Sequence, residues 1–360
     1  MHFYTSINNH YLAKARVLAK SVKKYNPAAK FSLILSDCIL DDFKLEEEPF
    51  DEVLTLDQLG FPVENLDFWI YLHNVVELCT AVKGQALVKF LEEGSDKVIY
   101  LDPDIAVFAE LKELEELLEQ HDVLLTPHQC APEKKYEDIK NNEICSLKHG
   151  IYNFGFYAVR NSANGLAFAR WWRDRLLDFC YDDIPNGIFT DQRWGDLAPA
   201  MFDGVYILRS PAYNVSTWNL TNRLVTKKDG CYLVNEIPLK FYHFSGFDSG
   251  AQEIMLKLYG GDNPVLFELR EWYIERCNEE GQKKYAKIFS CYDFYDDGRR
   301  VAKEERLLLR RRLDVYDAFK GTNPYIIEQD MSYYKWFRHE NPKKTLRQKI
   351  KEIIKIIKND

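Results

Sequence analysis

Apolar and polar positions follow the order of an α/β protein along the first 250 residues. Short apolar runs typical of buried strands cover residues 2–7 and 31–37, and residues 11–25 between them carry apolar side chains at helical spacing. A strand, a helix and a strand in succession predict a right-handed βαβ unit. Further strands are predicted at 98–101, 123–126, 152–159, 205–208 and 239–246, and helices at 76–91, 109–119 and 168–179. Residues 39–75 show no readable period and are expected to be irregular.

Beyond residue 250 the pattern becomes mostly helical, so we predict a helical extension over residues 251–342. Residues 343–360 follow it as a basic amphipathic helix, with isoleucines at helical spacing among lysines. Seven basic residues and one acid between 343 and 358 give that segment a charge of +6, against −8 for the whole chain. The pattern favours attachment to an anionic membrane surface. Docking on an acidic patch of the chain itself is the alternative.

Composition narrows the classes of protein further. With 46% hydrophobic residues in 360, a folded core is expected and disorder is not. The body outside the basic segment is acidic, which argues against nucleic-acid binding. The chain moves from its first residues directly into a strand, without the pattern of a signal peptide, and its eight cysteines show no paired spacing. We therefore expect a cytoplasmic protein, attached peripherally to the inner face of the cell membrane.

Two carboxylates separated by one proline mark the strongest candidate site. Asp102 and Asp104 follow the buried strand 98–101, at the strand end where ligands bind in open α/β sheets. Pro103 restricts the turn, so the acids have little freedom to point elsewhere. Hard oxygen ligands of this kind suit Mg²⁺ or Mn²⁺, which take their other ligands from water and substrate phosphates. A diphosphate-carrying substrate is the first ligand to consider.

Polar residues at the ends of the first two strands are candidates for nucleotide contacts. Thr5, Ser6 and Asn8 lie at the first strand and Asp37 ends the second. Ser and Asn there are equally ordinary turn and cap residues. Lys83, on the helix before the acidic pair, could reach a phosphate, although a solvated lysine is the default interpretation.

Three later stretches carry further candidates. Asn153 and Gly155 interrupt an aromatic strand, and a glycine there indicates either close approach of a neighbouring group or a simple bulge. Asp191, before Gln192, fits a helix cap as well as it fits chemistry. His243, between two aromatic residues, is more often a structural histidine than a metal ligand.

In this order and approximate spacing, Asp102-Pro103-Asp104, Asn153-Phe154-Gly155, Asp191-Gln192 and His243-Phe244-Ser245-Gly246 together resemble one family pattern. Over residues 1–250 the chain resembles the GT-A-fold glycosyltransferases. The resemblance is greatest to the family 8 type, which includes glycogenin and bacterial lipopolysaccharide galactosyltransferases. It implies a Rossmann-like mixed sheet flanked by helices, and a nucleotide-sugar-binding catalytic domain over residues 1–250.

The resemblance also implies roles for single residues. Asp102, Asp104 and His243 would be the metal ligands, which reverses the structural interpretation of the histidine. Thr5, Ser6, Asn8 and Asp37 would line the nucleotide pocket, and Lys83 and Gly246 would lie near the diphosphate or donor sugar. Asn153 would be a catalytic residue on the N-x-G strand, and Asp191 and Gln192 would form the D-Q pair beside the donor sugar's anomeric carbon.

The implied activity is a metal-dependent, retaining transfer of a sugar from a UDP-sugar to a glycan or lipid-linked acceptor in surface polysaccharide synthesis. One departure concerns the diphosphate. Family 8 members carry a lysine shortly after the histidine-glycine element, whereas here Asp248 follows and the next lysine is Lys257.

Two other functions stay open at this stage. A sugar nucleotidyltransferase is disfavoured because residues 6–10 contain neither glycine nor arginine. A non-catalytic interaction protein is disfavoured because Asp102, Asp104, Asp191 and His243 are all present. A fold kept only for binding does not need a complete set of metal ligands.

Overall fold

The computed structural model describes residues 1–341, and these divide into two compact units. The first unit comprises residues 1–61 and 75–291, and the second comprises 62–74 and the described residues from 292 onward. The predicted basic helix at 343–360 lies outside the described residues. Within residues 1–341, no helix is long and apolar enough to cross a membrane.

All the strands belong to the first unit. They are β1 (His2–Ile7), β2 (Lys30–Leu35), β3 (Glu52–Thr55), β4 (Lys97–Leu101), β5 (Ile105–Val107), β6 (Val123–Pro127), β7 (Tyr152–Arg160), β8 (Asp182–Asp183), β9 (Ile188–Phe189), β10 (Val205–Ile207), β11 (Val225–Lys228), β12 (Cys231–Val234), β13 (Ile237–Pro238) and β14 (Phe241–His243).

The helices are numbered in chain order through both units. They are α1 (Leu12–Tyr25), α2 (Leu66–Tyr71), α3 (Val75–Glu92), α4 (Lys112–Gln120), α5 (Tyr136–Asp138), α6 (Ile144–His149), α7 (Ala163–Phe179), α8 (Gln192–Gly195), α9 (Ala198–Met201), α10 (Ala251–Tyr259), α11 (Pro264–Glu279), α12 (Gln282–Tyr285), α13 (Lys303–Arg311), α14 (Leu313–Phe319) and α15 (Tyr333–Glu340).

A seven-stranded mixed sheet forms the centre of the first unit, in the order β10-β6-β7-β4-β1-β2-β3. β7 runs antiparallel to both its neighbours, and the other adjacent strands are parallel. The carboxyl ends of β1, β2 and β4 therefore meet at one edge, which is where ligands bind in such sheets. The predicted mixed α/β sheet flanked by helices is confirmed.

The side chains of β1 alternate between the two faces of the sheet, and helices cover both faces. Successive side chains of a strand point to opposite faces. Phe3 joins the core formed with α1 and α4, whereas the hydroxyl of Tyr4 donates to the carbonyl of Lys83 on α3 at 2.8 Å. α3 packs so closely on α7 that there is no room for a side chain at Gly84. A Cβ there would lie only 2.7 Å from Cα of Arg173. This close packing positions the middle of α3, where Lys83 lies.

The boundary expected at residue 250 lies inside the first unit. Leu256 of α10 and Leu269 and Tyr273 of α11 are buried in one core with Val17 of α1 and Phe244. Aromatic stacking reinforces this core, since the Phe244 and Tyr273 ring centroids are 3.8 Å apart. α10 and α11 therefore pack into the core of the first unit, within its bounds at residues 75–291.

The second unit has its own core of aromatic and aliphatic residues from α2, α13, α14 and α15. Arg306, only 5% exposed, donates to the carbonyls of Tyr71 and His73 at 2.7 and 2.6 Å. A buried basic side chain thus satisfies main-chain acceptors in the interior of the second unit.

The expectation of irregular structure over residues 39–75 is wrong in part, because β3 and α2 lie there. β3 is the edge strand of the main sheet, and its half-buried residues alternate too weakly for the period to be read. α2 buries Phe68, Trp69 and Ile70, but six residues are too few to establish a helical period.

Candidate functional site

Two adjoining cavities of about 200 and 460 Å³ open at the carboxyl edge of the main sheet. The smaller, the β1 cavity, is lined by Ser6, Asn8 and Tyr11 together with Asp104. The larger, the β7 cavity, is lined by residues that include His128, Asn153, Asp191, Gln192, Trp218 and His243. Lys83 and Asp102 line both cavities. The candidate metal ligands therefore lie at the junction of the two.

Asp102, Asp104 and His243 converge at this junction, with one ligand atom from each within 4.8 Å of the others. Nε2 of His243 lies 3.1 Å from Oδ1 of Asp104 and 3.7 Å from Oδ2 of Asp102. Burial raises the pKa of Asp104, but the hydrogen-bonded His243 and the charge of Lys14 outweigh burial and lower it overall. Two carboxylates and one imidazole suit Mn²⁺ or Mg²⁺, so the residues present fit the predicted metal.

Backbone pairing brings the three ligands together although 139 residues separate the last two. β5 follows the acidic pair and pairs with β14 so that His243 lies opposite Ile105. The amide of Phe244 donates to the carbonyl of Asp104 at 2.8 Å, and the amide of Asp102 donates to that of Gly155 at the same distance. The main chain thus sets the ligand positions.

The candidate metal ligands leave no room for a side chain at Gly155. A Cβ built there would lie 2.5 Å from Cε1 of His243 and 2.8 Å from Oδ2 of Asp102. Of the two interpretations of this glycine, the structure favours close approach, and the approaching groups are the candidate metal ligands.

Changing Gly155 to Ala should displace His243 and Asp102 and weaken Mn²⁺ binding by about 10-fold or more, as outer-shell changes at metal sites do. Electron paramagnetic resonance of unbound Mn²⁺ measures the affinity. Gly321→Ala is the matched control, because a Cβ there meets nothing within 4 Å. Equal Mn²⁺ affinity in the Gly155→Ala variant and the wild type would contradict the proposed contact.

Lys83 bridges two carboxylates at the floor of the site. Its Nζ lies 2.9 Å from Oδ2 of Asp191 and 3.2 Å from Oδ1 of Asp102, and its side chain is 3% exposed. Burial opposes the charged form, but Asp102 and Asp191 outweigh it and raise the pKa of Lys83. The interpretation of Lys83 as a solvated lysine is therefore wrong.

One tyrosine that the sequence analysis did not single out, Tyr100, supports this group. The hydroxyl of Tyr100 donates to Oδ1 of Asp102 at 2.7 Å, and Nζ of Lys83 lies 4.3 Å from the Tyr100 ring centroid. Strand alternation could have identified Tyr100, because it is two residues before Asp102 and shares its face.

Asp191 directly follows a strained residue and precedes α8, and Gln192 is the first residue of that helix. Thr190 has φ of 44°, which is rare for a β-branched residue. Burial raises the pKa of Asp191, and the adjacent Lys83 opposes that shift. The Gln192 amide is held by main chain, since Oε1 accepts from the Phe154 amide at 3.1 Å and Nε2 donates to the His149 carbonyl at 3.0 Å.

Asn153 belongs to a network around His243. Its Oδ1 accepts from Nδ2 of Asn214 at 3.0 Å, and its Nδ2 lies 3.0 Å from Nε2 of His128. Burial lowers the pKa of His128 to about 4, so this ring is neutral at pH 7 and can accept that bond. Asn214 was missed at the sequence level. Its Oδ1 lies 3.1 Å from Nδ1 of His243, which directs Nε2 of the histidine toward the acids.

Thr5, Asp37 and Gly246 do not line either cavity. Thr5 is completely buried, and Gly246 forms a turn with φ of 74°. Asp37 accepts from the amides of Asn9, at 3.1 Å, and Cys291, at 2.8 Å.

Beside Asp37, Cys38 is bonded to Cys291 as a disulfide across 253 residues. This pairing was not expected, because the eight cysteines show no paired spacing along the chain. Spacing could not show it, because the fold brings together two distant segments.

No protein-family model matches the chain. Among curated proteins it is similar to the uncharacterized proteins YfnD and YfnF of Bacillus subtilis strain 168, with 28% identity over 176 residues and 29% over 175. These matches cover 48% of this chain, and 54% and 57% of the two relatives. The chain therefore spans about half the length of the curated relatives it matches.

Among solved structures, the chain is similar to the galactosyltransferase LgtC in complex with donor and acceptor sugar analogues. The identity is 16% and the TM-score 0.39, with 72% of this chain and 95% of that chain covered. It is also similar to the glycosyltransferase GlyE of Streptococcus pneumoniae TIGR4, with 18% identity, a TM-score of 0.42 and coverage of 82% and 66%.

Proposed function

We propose that this chain is a metal-dependent glycosyltransferase that moves a sugar from a nucleoside diphosphate, UDP in the first instance, to an acceptor hydroxyl. The observation that carries the proposal is the cluster of Asp102, Asp104 and His243 at the junction of two cavities. The β1 cavity adjoins strand ends suited to a nucleotide. The β7 cavity offers room for sugars beside Asp191.

Asp102, Asp104 and His243 would hold Mn²⁺ or Mg²⁺, which stabilises negative charge on a leaving diphosphate when bound. Lys83 contacts both Asp102 and Asp191 and so fixes the two carboxyl groups relative to each other. Asn214 holds the His243 ring by its Nδ1 side. These residues organise the ligands before any substrate arrives, which is how enzymes stabilise charge at low reorganisation cost.

The proposed transfer is retaining, with Asp191 as the group that stabilises positive charge at the anomeric carbon. Its carboxylate lines the β7 cavity and sits beside Lys83. Gln192 is the weaker candidate for this role, because both atoms of its amide are bonded to main chain. Asn153 is proposed to position His128 and Asn214 and not to touch the reacting atoms.

The proposed acceptor is a glycan or a lipid-linked oligosaccharide of a surface polysaccharide. Trp218, His128 and Phe189 give the β7 cavity aromatic surfaces of the kind that pack on sugar rings. Attachment to an anionic membrane through residues 343–360 is proposed from the sequence of that segment alone.

A nucleotide screen tests the proposed function. The purified chain is titrated with UDP, GDP, CDP and ADP, with and without Mn²⁺, by thermal shift and calorimetry. One nucleotide is expected to raise the melting temperature only with the metal, by the equivalent of about 2.7 kcal/mol at 100 times its Kd. Sugar release from the matching nucleotide-sugar follows as the activity readout. If no nucleotide binds in either condition, the catalytic proposal fails and an interaction protein becomes the leading alternative.

A further inference from the structure

Lys14 of α1 is a buried lysine close to the metal ligands and is not part of the predicted site. Its side chain is 1% exposed, and its Nζ donates to Oδ2 of Asp248 in the turn that follows His243. The ammonium also lies 4.1 Å from the ring centroid of Tyr11, which lines the β1 cavity with Asp104. The ammonium of Lys14 thus contacts one residue that lines the β1 cavity and one residue of the 245–250 turn.

The charged groups that line the two cavities do not offset the negative charge of a bound diphosphate. Among the described residues that line the two cavities, Lys83 is the single lysine or arginine, and Asp102 and Asp191 already engage it. The three acids, Lys83 and one divalent ion sum to no net charge. A bound diphosphate would add at least two negative charges that nothing on the cavity walls offsets.

We propose that Lys14 binds the diphosphate of the donor, and that Asp248 holds the ammonium of Lys14 until the nucleotide arrives. This inference rests on the proposed function. Lys14 would supply the cation that the residues directly after Gly246 do not provide. The Asp248 side chain is 30% exposed on a surface turn, whereas Lys14 is fixed in a helix. Asp248 is therefore the partner that can move away, and phosphate oxygens take its place.

A second observation supports the placement. Tyr11 and Phe247 flank the ammonium, with centroids 4.1 and 5.5 Å from Nζ. Aromatic faces stabilise a cation without neutralising it. The two rings therefore stay in contact with the ammonium of Lys14 when Asp248 moves away.

The test compares UDP with uridine in the presence of Mn²⁺, by calorimetry on the full chain, because uridine has the base and ribose but no phosphates. Lys14→Met should weaken UDP binding by about 10-fold or more, the usual effect of losing a charged hydrogen bond. Uridine binding should not change. Asp248→Asn should leave UDP binding equal or tighter, since it releases Lys14 from its internal partner.

A purely structural ion pair gives the opposite pattern. Both variants would then lower the melting temperature and weaken UDP and uridine together, and that result overturns the proposal. Unchanged UDP affinity in Lys14→Met overturns it as well. Lys20→Met is the matched control, because Lys20 lies on the same helix, 56% exposed, and pairs with Glu280. If the wild type does not bind UDP, both this proposal and the choice of UDP as the donor nucleotide are wrong. If the wild type binds UDP and Lys14→Met binds it equally well, only this proposal is wrong.

Discussion

Asp104→Asn is expected to abolish Mn²⁺-dependent nucleotide binding and to lower the rate of sugar transfer by a factor on the order of 10² to 10³, the usual range for losing one charge-stabilising group. The amide keeps the shape of the side chain but removes the negative charge that a divalent ion requires. It also removes the larger of the two carboxylate influences that raise the pKa of His243 against burial. The pKa of His243 should therefore fall, because burial lowers it and only Asp102 still opposes burial.

Mn²⁺ affinity and the thermal shift with UDP measure the effect of Asp104→Asn. The melting temperature without ligand should stay near that of the wild type, because an amide can still bond to Nε2 of His243. Asp262→Asn is the matched control, since Asp262 is an exposed acid in a turn of the same unit. Retention of metal-dependent binding by Asp104→Asn would remove Asp104 from the proposed metal site.

Lys83→Met should reduce the free energy of unfolding by about 3 to 5 kcal/mol at pH 7, because it leaves the buried Asp191 carboxylate without its cation. The side chains of Lys83 and Asp191 are 3% and 4% exposed, so solvent screens their charges little. Burial raises the pKa of Asp191, and the variant lacks the lysine that opposes this shift. The folded protein then favours a protonated Asp191, so the deficit should shrink as the pH falls toward about 4.

Urea unfolding of Lys83→Met at several pH values measures this loss. The double variant Lys83→Met/Asp191→Asn should recover part of the stability at pH 7, since it no longer buries an unpaired carboxylate at residue 191. Lys89→Met on the same helix is the control, because Lys89 pairs with Glu93 near the surface, with side-chain exposures of 22% and 56%. A loss of stability that does not depend on pH would show that the variant disturbs packing and that the unpaired charge is not the cause.

Much of the first unit could be predicted because its signals are local. β1, α1, β2, α3, β4 and β7 lie within a few residues of the predicted bounds, since apolar period depends on near neighbours in the chain. The acidic pair was identifiable for the same reason, as both acids and the restricting proline are consecutive. β3 and α2 were missed, because short or half-buried elements leave too few positions to define a period.

Other features depend on residues that are remote in sequence. Pairing of β5 with β14 places His243 beside the acids, and Asn214, at φ of 52°, orients its ring. Neither relation leaves a signal in the residues around His243, which is why a structural role was the default interpretation. The disulfide between Cys38 and Cys291 and the pairing of Lys14 with Asp248 are of the same kind.

The sequence by itself determined the βαβ order, the strand that carries Asp102 and Asp104, and the resemblance that named a metal and a nucleotide-sugar. The tertiary structure decided that Lys83 is a buried bridge between two acids, that Gly155 makes room for His243, and that Lys14 lies near the β1 cavity. Local order follows from side-chain period and backbone preference, which neighbouring residues specify. Charge pairing follows from burial and distance, and the folded chain alone brings such distant groups within a few ångströms.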